Sequence, residues 1–199
     1  MAEYDGPTYA DNPYNSPLRR WIYDYLSQEF PVDDKVYRSD SPIAADRQKF
    51  ELWTGTTQKS LMKIWESKGS FSTCTGFVAI LVTRIRQNGG LMPKTGSPPV
   101  FQTFDLALNK KGWHRYPEQD RQPRLGDIFA LGKPLAVKHV GVVLNSVGNQ
   151  WITVEAGGGS IGQFQSISRN GWHAPPFSEM YGWIDIDEYF DTWSNAKYS

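Results

Sequence analysis

The feature that most constrains this chain is a change in the period of its apolar residues. Before residue 90 they recur at helical spacing. Trp21, Ile22, Tyr25, Leu26 and Phe30 mark a helix over 18–30 that Pro31 stops. A short helix is expected over 44–53, and Leu61, Met62, Ile64 and Trp65 mark an amphipathic one over 57–66. The apolar run from Phe77 to Val82 places a buried helix over 74–87, closed by Asn88-Gly89-Gly90. After residue 125 the pattern turns to short β-rich runs at 127–131, 139–144, 150–155, 164–168 and 181–186. Val147-Gly148-Asn149 reads as a hairpin turn, and Gly157-Gly158-Gly159 as a turn that ends the third run. A short helix over 187–193 closes the chain. Helices first and an antiparallel sheet after them predict an α+β fold.

Residues 1–45 read as an irregular N-terminal arm with one helix, and 33–46 within it and beyond as loop. Residues 46–199 read as the domain proper, with an insertion at 91–124. That insertion carries Pro93, Pro98, Pro99, Pro117 and Pro123, and a helical turn or two over 101–108.

Several function classes are excluded early. Lys plus Arg number 21 and so do Asp plus Glu, so the net charge is zero and leaves no electrostatic footprint for nucleic acid or an anionic membrane. The longest apolar run is far shorter than the roughly 20 residues a membrane helix needs, so no membrane insertion is expected. The first 20 residues are acidic and rich in Pro and Tyr, without the apolar core of a secretory signal. A protein made in the cytoplasm is expected, and if it works outside, something other than a cleaved signal carries it. Aromatic residues make up 14 % of the chain, which suits a groove for sugars or peptides.

The single cysteine, Cys74, forbids an intrachain disulfide and a Cys-rich zinc site. It stands where the polar cluster Ser72-Thr73 opens the helix over 74–87. The free N–H groups and positive dipole end of a helix start favour thiolate over thiol. A thiolate that can trade protons with a histidine is a nucleophile. His139, in Lys138-His139-Val140-Gly141, is the expected partner. His114 and His173 read as loop or groove residues. The three histidines show no metal-ligand spacing, and no cofactor is called for. Arg19-Arg20 reads as surface charge. Asp127 reads as a turn residue, though it stays open as the group that orients His139.

The order Cys74-Thr75-Gly76-Phe77, Gly126-Asp127-Ile128, His139-Val140-Gly141, then Trp151 to Ala156 resembles the papain-like, cell-wall-cleaving cysteine peptidases and amidases of the NlpC and CHAP type. The resemblance covers residues 70–157. It implies a papain-like architecture, with the nucleophile helix packed on a C-terminal antiparallel sheet. It implies Cys74 as nucleophile, His139 as base and Glu155 as the third polar residue, the rival being Asp127. The Tyr these families place ahead of the cysteine has no match, and Thr73 stands where they carry Asp. The Cys74 N–H at the helix start is expected to supply one oxyanion donor, and the second is open among Ser72, Thr73 and Gln58.

The resemblance implies hydrolysis of amide bonds in bacterial peptidoglycan, with the stem peptide as substrate. Without a signal peptide, such an enzyme is expected to be a delivered antibacterial toxin acting in a target cell's periplasm, with an immunity protein as possible partner. Two other classes remain: a deamidase, protease or acyltransferase acting on a protein, and a binding module with an inert Cys74.

Overall fold

The computed structural model describes residues 16–68, 72–88, 112–117, 122–133, 136–160 and 162–190. Helix α1 (Pro17–Glu29) starts at Ser16, whose side chain accepts the Arg19 N–H, with Pro17 preset for the first turn. Strand β1 (Val36–Arg38) follows, then α2 (Ala44–Thr54), closed by Gly55 in the left-handed conformation. Helix α3 (Gln58–Glu66) is capped by the Thr57 side chain, and α4 (Thr73–Asn88) ends the helical half. Beyond it lie β2 (Trp113–Arg115), β3 (Ile128–Lys133), β4 (Ala136–Val147), β5 (Gln150–Ser160), β6 (Phe164–His173), β7 (Met180–Ile184) and a one-turn helix α5 (Ile186–Tyr189).

The strands form one seven-stranded sheet in the order β1-β6-β5-β4-β3-β7-β2, and each of its pairings is antiparallel. The fold is therefore α+β. Helix α4 packs against β4 and β5. Its Phe77, Val78, Leu81, Val82 and Ile85 share one buried cluster with Trp53 and Phe50 of α2, Ile22 and Leu26 of α1, and Val140, Val142, Val154 and Ala156 of the sheet. Because side chains alternate along a strand, the neighbouring positions Phe129, Val143 and Trp151 build a second cluster on the other face, with Met180 and Trp183. Among the described residues no helix is long and apolar enough to cross a membrane.

The structure departs from the sequence reading at several elements. The stretch read as loop over 33–46 contains β1, whose Val36, Tyr37 and Arg38 pair with Ser168, Ile167 and Ser166. α1 and β1, in the segment read as an arm, belong to the common core and sheet. β2 lies in the expected insertion and pairs with β7. The triple glycine does not end β5. The strand runs on to Ser160, with a register shift between Ala156 and Gly158 and positive φ at Gly157 and Gly159. β6 continues five residues past its expected end, to His173. The expected helical turn over 101–108, the stop at Gly89-Gly90 and residues 191–193 of the closing helix lie outside the described residues.

Candidate active site

Cys74 is the second residue of α4, and the residue is 6 % exposed. Ser72 stands just before the helix. Its Oγ accepts the Thr75 N–H at 3.4 Å and lies 3.0 Å from the Cys74 sulfur. With its oxygen engaged by Thr75, the hydroxyl proton is free to be donated to the sulfur. Close approach at this end of α4 depends on Gly76, where a Cβ would strike the Thr54 backbone at the end of α2. The Gly of Cys74-Thr75-Gly76 is thus a packing requirement.

His139 lies near the start of β4, and its imidazole keeps 24 % of its surface open. Its Nε2 is 2.7 Å from Glu155 Oε2, and its ring also hydrogen-bonds the Cys74 side chain, which leaves Nδ1 as the nitrogen that meets sulfur. Glu155 reaches His139 because its cross-strand partner is Gly141. A Cβ on Gly141 would meet Glu155 Cγ and Phe129 Cζ, both at 2.6 Å. The bare glycine gives the carboxyl room to cross β4 toward a histidine two residues earlier. Gly157 completes the surround. A Cβ there would lie 3.6 Å from Cys74 Cβ and 3.8 Å from His139 Cε1.

The electrostatics favour a thiolate–imidazolium pair. Burial pushes the Cys74 thiol up, but hydrogen bonds from His139 and Ser72, the imidazolium charge and the Val140 N–H outweigh it and hold the thiol below its ordinary range. Burial disfavours charge on His139, yet its bonds to Cys74 and Glu155 prevail and push it up to about 9. Burial would raise Glu155, but His139 and the Thr153 hydroxyl hold it below the usual carboxylate value. The structure therefore brings together Cys74, His139 and Glu155.

Other sequence candidates lie elsewhere or are engaged. Asp127 is fully buried, takes Arg19 Nη1 at 2.7 Å, the Arg124 N–H at 2.7 Å and the Ile186 N–H at 3.1 Å, and does not orient His139. Arg19, expected on the surface, is 0 % exposed. Of the three oxyanion candidates, Ser72 faces the sulfur, and Thr73 Oγ1 donates to Gln165 Oε1 at 2.8 Å. Gln58 donates to the Gln163 carbonyl and accepts from Ser39 Oγ. Two backbone donors are left beside these: the Val140 N–H, which acts on the sulfur, and the Cys74 N–H at the start of α4, where first-turn N–H groups have no acceptor within their helix. His114 stacks on Trp183 at 5.2 Å and meets Glu188 at 3.2 Å. His173 ends β6 opposite Trp151.

Sequence reasoning missed Thr153 and Asn170, which hold the far oxygen of Glu155. Thr153 was findable, since a residue two before Glu155 in a strand shares its face. Asn170 lay past the expected end of β6. Side chains of His114, Asp185 and Glu188 bring ligand atoms within 4.8 Å of one another. Asp185 already takes Arg19 on one oxygen and Arg124 on the other, so the trio is an ion-pair cluster. No family model, curated protein or solved structure matches this chain.

Proposed function

We propose that this chain is a papain-like cysteine amidase or endopeptidase that hydrolyses amide bonds in bacterial cell-wall peptidoglycan. The observation that carries the chemistry is the chain of contacts from Cys74 through His139 to Glu155, with the thiol held below its ordinary range. The substrate class rests on the motif order around Cys74, Gly126 and His139.

In this reading the Cys74 thiolate attacks the amide carbonyl carbon. The carbonyl oxygen takes up the electron pair and is stabilised by the Cys74 N–H, a type of donor worth about 3–4 kcal/mol of barrier. The C–N bond breaks, and the leaving nitrogen takes the proton from His139 Nδ1. The thioester is then hydrolysed by a water that gives its proton back to His139. Glu155 keeps the imidazole turned toward the sulfur and balances its charge.

Purified peptidoglycan incubated with the wild-type chain and with Cys74→Ala, followed by mass spectrometry of the fragments, tests the proposal. New fragments from the wild type alone are expected, and their masses name the bond. Absence of cleavage, with Cys74 still reactive to iodoacetamide, would move the substrate to a protein or acyl donor. An unreactive Cys74 would leave a binding role. A wall substrate also makes toxicity depend on compartment, so the toxin reading expects killing from the periplasm and none from the cytosol.

A further inference from the structure

We infer that Thr153 and Asn170 are positioning residues that fix the Glu155 carboxylate for His139, extending the site from three side chains to five. This rests on the reading of Cys74 and His139 as nucleophile and base.

A carboxylate that must point one oxygen at an imidazole is free to turn unless its other oxygen is held. Here Oε2 faces His139 Nε2 at 2.7 Å. Oε1 accepts the Thr153 hydroxyl and, at 3.1 Å, the Asn170 amide nitrogen. Asn170 Nδ2 also donates to Thr153 Oγ1 at 3.2 Å. The polarity of this ring is consistent all round. Asn170 is donor to both neighbours, Thr153 accepts from Asn170 and donates to Glu155, and the carboxylate only accepts. That consistency also fixes which way the Asn170 amide points.

The sheet builds the ring from backbone register. Thr153 and Asn170 are cross-strand partners on β5 and β6, and Glu155 follows Thr153 on the same face. Thr153 is fully buried. Without these donors, a carboxylate in so closed a place is free to turn away from His139 and to take up a proton. Either event removes support from the imidazolium, and the thiolate loses its partner.

The test is the pH dependence of Cys74 alkylation by iodoacetamide, which needs no knowledge of the substrate. Thr153→Val removes the hydroxyl and keeps the shape, Thr153→Ser restores the hydroxyl, and Asn170→Ala removes the amide. Val and Ala are expected to move the alkylation midpoint up by about one pH unit, toward that of Glu155→Gln, and Ser to leave it near the wild type. In a Glu155→Gln background, Thr153→Val should shift it no further. A midpoint unchanged in both Thr153→Val and Asn170→Ala would overturn the inference, as would a shift of undiminished size in the Glu155→Gln background. Asn170 is partly exposed, so its variant carries the test should the buried valine prevent folding. A wild-type thiol that alkylates only at or above an ordinary thiol's pH would instead overturn the reading of Cys74 itself.

Discussion

At Cys74 burial opposes charge while the neighbours demand it, and the neighbours win. The same competition at His139 ends with the proton held to about pH 9. An unperturbed histidine releases it near 6.5 and an unperturbed thiol ionises near 8.5. The two groups thus exchange their usual order, which favours the charged thiolate–imidazolium pair over the neutral one. Under the proposed function, amide cleavage should then follow a bell. The rate rises as Cys74 ionises, below the ordinary thiol range, and falls as His139 loses near pH 9 the proton that the leaving nitrogen requires. Glu155 supports the imidazolium, so Glu155→Gln should move the alkaline limb to lower pH. A pH–rate profile of both proteins measures this, and an alkaline limb unmoved by the substitution would contradict its assignment to His139.

Two glycines show how close packing of elements serves the fold in one place and the site in another. Gly76 lets α4 lie against the end of α2, and Gly141 lets Glu155 and Phe129 meet above β4. Gly76→Ala should destabilise the fold by ~1–3 kcal/mol, the usual effect of forcing extra atoms into a packed interior, while folded molecules keep the wild-type alkylation midpoint. Gly141→Ala should displace the Glu155 side chain and raise that midpoint. Urea unfolding and alkylation, measured on each variant, separate the two effects. The helices were legible because their apolar spacing is long enough to reveal a period, and the strands of the central hairpin because Gly148 marks their turn. β1 and β2 were not, since three residues are too few to show alternation. The end of β5 was misplaced because glycine commonly ends a strand, whereas here Gly157 and Gly159 absorb a bulge that carries the strand past Cys74. The meeting of Cys74, His139 and Glu155 could be anticipated from motif order. The support from Asn170 could not, because a polar residue on a strand looks like a solvated one until its partners are known.

Across the whole molecule, one buried cation ties the two ends of the described chain together. Arg19 of α1 reaches Asp127 ahead of β3 at 2.7 Å, and Asp185 and Asp187 around the start of α5 at 2.9 and 2.6 Å. Sequence alone suggested surface charge, since a paired Arg-Arg near an N-terminus carries no sign of three distant carboxylates. The cluster holds more acid than base. Burial foremost, and Asp185 nearby, raise Asp127 to about 6 even though Arg19 works to lower it. An unfolded aspartate titrates near 3.9, so the folded state binds this proton more tightly. Protonation of Asp127 therefore adds stability as pH falls through 6, and its ionised form weighs against folding at neutral pH. Arg19→Met leaves the carboxylates without their buried partner and should cost roughly 3–5 kcal/mol, as removal of one member of a buried ion pair does. Without the cation, the carboxylates take up protons at still higher pH. The gap between wild type and variant should accordingly narrow between pH 7.5 and 5. Urea unfolding at the two pH values measures it, and a gap that stays constant or widens on acidification would show that the cluster does not carry the coupling assigned to it.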